Sequence, residues 1–409
     1  MSDIIIIGAG PAGMMAAITA ARRGKKVLVL EKMEKPLRKL RITGKGRCNL
    51  TNVASQADFL KHTGPDSRFL KYAFSTFFAP QLIEFFQNAG VEVVTEQGGR
   101  VFPASEKAQD ISEALLREAR KAGVEIRCNC SVREILLHNG QISGIKVENG
   151  NIIATSKIII STGGASYPAT GSTGDGYKLA KLGGHSIEEI RPALVPLETA
   201  GNLAQRMQGI SLKNVQVNVW INGKKQGEAF GEMMFTHFGL TGPIILSLSR
   251  RFSKEIKAGE NIEFSVDLKP ALEHEKLDVR LLRDMDEHGK RSFQSLLRLL
   301  IPSGMIPIFL EMTGISPDKP ANQIGAAERK KLRLLLKDLR FKITKARGFE
   351  EAIITAGGVS TKEVDPTTMQ SKLLEGLYLC GEVLDLEADT GGYNLQIAFS
   401  TGYVAGMSV

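Results

Sequence analysis

Four consecutive isoleucines, Ile4–Ile7, run directly into Gly8-Ala9-Gly10-Pro11-Ala12-Gly13. A short apolar run closed by glycine reads as a strand buried on both faces, as the inner strands of a parallel sheet are. Ala12–Arg23 is small and apolar at helical spacing. Its last turn is basic, which suits the negative end of a helix dipole, and Gly24 is a stop signal. Lys26–Leu30 reads as a second strand. The three pieces make a βαβ unit of roughly thirty residues. Parallel strands joined this way need helices over the sheet, so the expected class is α/β.

The glycine spacing gives this unit a chemical meaning. In G-x-G-x-x-G between strand and helix, Gly8 allows the tight turn. Gly10 lets backbone amides approach a pyrophosphate, and Gly13 lets helix and strand pack closely. The helix N-terminus adds partial positive charge. Glu31 ends the second strand 18 residues after Gly13, where a carboxylate accepts from ribose hydroxyls and opposes a 2′-phosphate. A tight βα turn alone would use the same glycines. With strand, helix and acid all in place, dinucleotide binding is the expectation.

Elsewhere, Gln109–Ala122 has a one-sided helical pattern, and Val124–Cys128, Val132–Leu137, Ile142–Val147 and Lys157–Ser161 read as strands. Asn139-Gly140 and Asn149-Gly150 are hairpin turn signals. The pattern changes near Arg191. Val215–Ile221 and Asn261–Leu268 read as strands, and Pro270 to Phe341 as helical. Glycine-rich short strands return near Ala352. The expected organisation is one α/β domain, 1–190 plus 353–409, interrupted by a β domain, 191–270 plus 342–352, which carries a helical module, 271–341.

At 409 residues with 43% hydrophobic and 24% charged side chains, fibrous and disordered classes are excluded. The apolar runs fall far short of the ~18 residues a membrane span needs. No basic n-region precedes the isoleucines and four cysteines make no disulfide framework, so a cytoplasmic protein is expected. No G-x-S-x-G elbow, HExxH or Walker A sequence is present, which weakens hydrolase and ATPase readings.

Two later segments favour FAD over NAD as the dinucleotide. Thr43-Gly44-Lys45-Gly46-Arg47-Cys48-Asn49 is a glycine loop suited to wrapping an extended cofactor. Gly381-Glu382, after the strand Leu377–Cys380, precedes Gly391-Gly392-Tyr393-Asn394 and an apolar helix. The N-terminus of that helix would stabilise negative charge at the N1–C2=O edge of a reduced flavin.

Thr43–Asn52, Phe235–Pro243, Thr355–Val359 and Gly376–Gly402, taken in order, resemble the BaiN/RdsA-type flavoproteins, also called the aminoacetone oxidase family. The resemblance covers essentially the whole chain. It implies a Rossmann-like, glutathione-reductase-type FAD domain with a β-rich insert and helical module. It implies pyrophosphate at Gly8, Gly10, Pro11, Ala12 and Gly13, with the adenosine ribose at Glu31 and Lys32. Adenine is implied near Val132, and Thr162 and Gly163 close to the dinucleotide. Gly44, Gly46, Arg47, Cys48 and Asn49 are implied on the flavin side. Gly381 and Glu382 are implied near the ribityl-pyrophosphate, and Gly392, Tyr393, Asn394 and Leu395 at the pyrimidine edge. Broader FAD proteins often carry Gly-Asp where this chain has Gly381-Glu382.

Gly171–Gly176 has the wrong spacing for a second G-x-G-x-x-G. A dedicated NAD(P)H domain is therefore not expected, and NADH or NADPH would visit the flavin face transiently. The resemblance implies three chemistries: reduction of rRNA uridine to dihydrouridine, reduction of a steroid-type enone, and oxidation of aminoacetone. The first two place a hydride and a proton across a conjugated C=C, and a cysteine or histidine would donate the proton. Cys48 and His237 are the candidates. Cofactor packing for Cys48 and a domain-junction hydrogen bond for His237 are the alternatives. Cys380 reads as a buried small hydrophobe. Cys128-Asn129-Cys130 lacks a second ligand pair, so no metal is expected.

The net charge is +9, and it is uneven. Residues 22–47 hold eleven Lys/Arg and two Glu, and residues 328–347 hold nine Lys/Arg and two acids. The rest of the chain is net acidic. A solvated helix face explains one such cluster. Two clusters point to phosphate neutralisation, and 23S rRNA is the expected partner, ahead of a small-molecule substrate.

Overall fold

The computed structural model describes residues 2–64 and 66–409. The chain forms two compact units, Met1–Ala193 with Phe349–Val409, and Leu194–Gly348.

The first unit opens with β1 (Ile4–Ile7), α1 (Pro11–Arg22), β2 (Val27–Leu30) and α2 (Arg38–Ile42). It continues through β3 (Thr51–Asn52), α3 (Gln56–Lys61), α4 (Leu70–Thr76), α5 (Ala79–Asn88), β4 (Val93–Thr95), β5 (Arg100–Pro103) and α6 (Ala108–Lys121). Then come β6 (Glu125–Arg127), β7 (Val132–His138), β8 (Gln141–Val147), β9 (Ile152–Ala154), β10 (Ile158–Ile160), α7 (Asp175–Leu182) and β11 (Ile187–Ala193). The second unit holds β12 (Leu197–Thr199), β13 (Ser211–Ile221), β14 (Lys224–Phe235), β15 (Gly239–Thr241), α8 (Pro243–Arg251), α9 (Ser253–Ala258) and β16 (Ile262–Asp267). It also holds α10 (His274–Glu287), α11 (Phe293–Leu300), α12 (Ile306–Thr313), α13 (Ala326–Lys337) and β17 (Leu339–Ala346). The chain then returns to the first unit with β18 (Ile354–Val359), β19 (Leu377–Leu379) and α14 (Tyr393–Ser408).

The central sheet has the order β19-β10-β1-β2-β6 and is parallel throughout. All four isoleucines of β1 are buried, with Ile5 beside Ile158 on one side and Leu28 on the other. The chain leaves β1 toward β2 and later comes back to β10 on the opposite side. The strand order therefore reverses beside β1, and ligands of open α/β sheets bind at the carboxyl ends of strands at such a point. Gly8–Gly13 and Thr162–Gly164 both lie there. On one face α1 packs against α14, where a Cβ on Gly402 or Gly406 would overlap the carbonyls of Ala12 or Ala16.

The second unit is a closed barrel, β12-β15-β14-β13-β16-β17. Three features correct the expected organisation. Residues 339–341 were assigned to the helical module, but Leu339, Phe341 and Ile343 are buried in alternation within β17, which pairs with β16. The apolar positions change from helical period to period 2 after Lys337, so Leu339 is not part of the helix stripe. The helices also form no separate body. Leu281, Phe293 and Leu336 share one core with the barrel residues Val217 and Phe264. The boundaries fall at 193/194 and 348/349 rather than 190/191 and 352/353. β11 runs to Ala193 and pairs antiparallel with β18, which keeps it in the first unit.

Candidate cofactor site

Each glycine of the first turn meets a different steric demand. Gly8 has φ +101, and a Cβ there would lie 2.7 Å from the Ser161 carbonyl. A Cβ on Gly13 would overlap Gly8 O and Ser161 Oγ, so α1, β1 and β10 close on one another at this point. Ser161 Oγ donates to both Ile7 O (3.0 Å) and Gly8 O (2.9 Å). A Cβ on Gly10 would meet nothing within 4 Å. Gly10 is the N-cap of α1 and Pro11 its first residue, so open space lies over the first-turn amides. That space, with packed walls on either side, fits a pyrophosphate.

Glu31 is fixed by two backbone amides. Oε2 accepts from Ala9 N (3.0 Å) and Oε1 from Met33 N (2.9 Å). Each carboxylate oxygen keeps a lone pair for a ribose hydroxyl. Cys130 N donates to Glu31 O, which brings the 130–132 segment and Val132 beside the acid. The Lys32 ammonium is paired with Asp175 (2.6 Å) and bonded to Thr173.

The Thr43–Asn49 loop is held in left-handed backbone at Gly44, Lys45, Gly46 and Cys48. Two of these are not glycine, and such strain persists only where surrounding contacts impose it. Arg47 lies over the Phe102 ring (4.2 Å) and pairs with Glu96 and, at 2.8 Å, Glu106. Its Nε is buried without a hydrogen-bond partner among the described residues. The Cys48 side chain is fully buried, and burial pushes its thiol up to about 12 against a smaller lowering by Thr43. Cys380 is likewise buried and its thiol pushed up.

The loop is bonded to the start of α14. With its amide oriented to satisfy both groups, Asn49 accepts from Gly392 N (3.0 Å) and donates to Thr51 O (3.2 Å). Asn52 Nδ2 donates to Gly391 O (3.2 Å). The Asn394 side chain accepts from Ala388 N and donates to Ala388 O and Asp389 O. The side chains of Asn49 and Asn394 therefore shape the backbone. The first-turn amides of Tyr393, Asn394 and Leu395 are left to face a ligand.

Glu382 stands at the end of β19, just after Gly381, whose N–H donates to Thr401 Oγ1 (3.0 Å). Its carboxylate accepts from Lys39 Nζ (2.9 and 3.2 Å), Ser166 Oγ (3.2 Å) and Thr355 N (2.9 Å). A Cβ on Gly163 would be 3.7 Å from Glu382 Oε2, so this cluster borders the Thr162-Gly163 loop. Sequence reasoning missed Lys39, Ser166 and Thr355 as partners of Glu382. Ser166 and Thr355 lie in or beside glycine-rich segments that were noticed, whereas nothing marks Lys39 among eleven neighbouring bases. It also missed the pair His62–Asp389, whose members are 327 residues apart.

His237 belongs to the second unit, is exposed, and stands edge-on to Phe238 at 5.0 Å. Arg347 lies over the other ring of that pair, Phe238, and binds Glu198.

A parallel sheet with this turn, acid and pair of helix N-termini at its switch point defines a Rossmann-type dinucleotide-binding protein. The chain belongs to the HI0933-like family, whose Rossmann-domain model matches residues 2–408. It is 33% identical over 409 residues to a 3-dehydro-bile acid delta(4,6)-reductase of Clostridium scindens, covering 99% of this chain and 98% of that protein. It is 31% identical over 403 residues to a ribosomal RNA dihydrouridine synthase of Escherichia coli K12, covering 98% and 96%. Among solved structures, the Sdh1 complex of Mycobacterium smegmatis in its apo form shares the fold, with a TM-score of 0.51 and 18% identity, covering 100% of this chain and 67% of that one. The chain is an FAD-dependent oxidoreductase. Among the described residues no helix is long and apolar enough to cross a membrane.

Proposed function

We propose that this protein uses NADH or NADPH to reduce a C=C bond conjugated with a carbonyl. The carrying observation is the open cradle at Gly10, Glu31 and the α14 N-terminus in a chain with full-length relatives named as a bile acid delta(4,6)-reductase and a dihydrouridine synthase. Bound FAD would supply the hydride. Gly10, Pro11, Ala12 and Gly13 would hold its pyrophosphate and Glu31 its ribose. Val132 would line the adenine, and Thr162 and Gly163 the dinucleotide. The amides of Tyr393, Asn394 and Leu395 would stabilise negative charge at the pyrimidine edge. Asn49 and Asn394 would keep those amides aimed by fixing the loop before them.

Uridine of 23S rRNA is the substrate proposed first, on the strength of the basic segments. Many of their charges are already neutralised. In 22–47, Arg22, Lys32, Arg38, Lys39 and Arg47 have carboxylate partners. In 328–347, Arg329, Arg333, Lys337, Arg340, Lys345 and Arg347 do as well. Among the described residues, Arg23, Lys25, Lys26, Lys35, Lys45, Lys330, Lys331 and Lys342 are exposed without one. This pairing favours a second reading, a small cyclic enone. Binding to a 23S rRNA fragment should weaken with salt along a log–log slope no steeper than about −7 if all eight exposed cations meet phosphates. A slope near zero refutes the rRNA reading, as does an unchanged dihydrouridine map of 23S rRNA after gene deletion.

A further inference from the structure

The second carbon of the alkene still needs a proton donor, and Cys48 is not placed to be it. Cys48 is sealed from the site, with its thiol held protonated by burial. Immediately beside the α14 N-terminus, however, His62 Nδ1 meets Asp389 Oδ2 at 3.1 Å. The imidazole stacks on Tyr393, with centroids 4.5 Å apart and planes at 21°. Asp389 N donates back to His62 O (2.9 Å), and Thr63 bridges Ala388. Ring, carboxylate and backbone are thus cross-braced. The Asp389 side chain is 17% exposed and the His62 side chain 45%, so the dyad has a covered carboxylate and an open imidazole. Nε2 has no hydrogen-bond partner among the described residues. A base oriented by a carboxylate, with its outer nitrogen open, is the arrangement proton transfer requires.

We propose that His62 is the general acid of the reaction and that Asp389 is its positioning residue. This rests on the reading above, with the flavin pyrimidine edge at the start of α14. Bound, reduced FAD would supply the hydride for the β-carbon of the alkene, and His62 Nε2 gives its proton to the α-carbon. The π bond breaks and two C–H bonds form. The imidazole is left neutral and regains its proton from water, while the two electrons are restored by NADH or NADPH. The charged and titratable groups near the imidazole are Asp58 on α3, itself paired with Lys61 at 2.7 Å, Asp389 before α14, and Tyr393 on it.

The test uses the FAD-loaded enzyme reduced with dithionite. His62→Gln should slow reoxidation by 4-androstene-3,17-dione or by a uridine-containing 23S rRNA fragment about 100-fold. Reoxidation by ferricyanide, which takes no proton onto carbon, should be unchanged. Asp389→Asn should slow the alkene reaction less than His62→Gln does, and should also leave reoxidation by ferricyanide unchanged. In a separate readout without turnover, diethyl pyrocarbonate should label His62 in the oxidised holoenzyme, and saturating alkene should protect it several-fold. Equal loss with both oxidants, wild-type alkene rates in His62→Gln, or unprotected labelling overturns the assignment. A wild-type enzyme that reduces neither alkene overturns the reading beneath it, and the assignment with it.

Discussion

The sharpest consequence of the cradle is that two glycines three residues apart should fail for opposite reasons. Gly10 has φ −82, a value any residue adopts, and its Cβ position is empty to 4 Å. Gly10→Ala therefore costs the protein without FAD only the difference between glycine and alanine as N-cap, about 0.5–1 kcal/mol. The methyl group would occupy the space through which the first-turn amides reach a phosphate. A hydrogen bond to a charged group is worth about 1.5–3 kcal/mol. Loss of one such bond weakens FAD binding by roughly 10- to 150-fold, at about 1.4 kcal/mol per factor of ten. Gly13→Ala should behave in reverse. Its Cβ overlaps the Gly8 carbonyl and the Ser161 hydroxyl, so strand and helix must separate, at about 1–3 kcal/mol or more. Flavin fluorescence titration and urea unfolding of the FAD-stripped protein, run on both variants, measure the two effects apart. A Gly10→Ala protein with wild-type FAD affinity refutes the placement of the pyrophosphate. Equal unfolding curves for Gly13→Ala and wild type refute the packing argument.

Iodoacetamide at pH 8 should modify Cys128 and Cys130, which are partly exposed, and leave Cys48 and Cys380 untouched, as peptide mapping will show. Cys48→Ser should keep alkene reduction within about threefold of wild type, since a general acid would cost far more. Lys39→Met should destabilise by about 1–3 kcal/mol in urea, discounted for the 20% exposure of the lysine side chain, because Glu382 keeps a partly buried charge. A Lys39→Met/Glu382→Gln cycle that shows no coupling would remove the pair as a clamp. His185, bonded to Glu363 and Ser371, has its pKa lowered by burial, with Glu363 opposing. The unfolded chain then binds the extra proton first, so stability is full above about pH 6.5 and falls as pH drops below it. His185→Gln should lose that part of the pH dependence, measured as the difference in unfolding free energy between pH 7.5 and pH 5.5.

How legible the site was follows from how local its parts are. The strand–glycine–helix–acid series occupies residues 4–31, and each feature is set by its own neighbours: isoleucines on both faces, Pro11 at the helix start, glycine where a carbonyl crowds. The hairpin at Asn139-Gly140 is legible for the same reason, since both residues take the left-handed conformation the turn demands (φ 52 and 77). β17 was misread because Leu332, Leu335, Leu336 and Leu339 continue a helical stripe by count. Only pairing with β16 shows that the period has changed. His62–Asp389 and Lys39–Glu382 span 327 and 343 residues. No local pattern announces such pairs.

The basic segments show the same limit with a functional consequence. As a string they are two blocks of like charge, and like charge in a block invites a polyanion. In the fold, Asp278 accepts from both Arg329 and Arg333, Glu198 binds both Lys345 and Arg347, and Lys337 reaches Asp267. These acids come from 51 to 149 residues away, so the sequence tally counted the bases together and their partners elsewhere. A paired arginine must surrender its carboxylate before it serves a phosphate, and that exchange gains little in water. The electrostatic case for RNA therefore rests on the eight exposed cations alone. The chemistry at Gly10, Glu31 and α14 is indifferent to it: a uridine ring and a steroid enone present the same conjugated C=C. Salt dependence thus separates the two substrates, while the His62→Gln split between alkene and ferricyanide should appear with either.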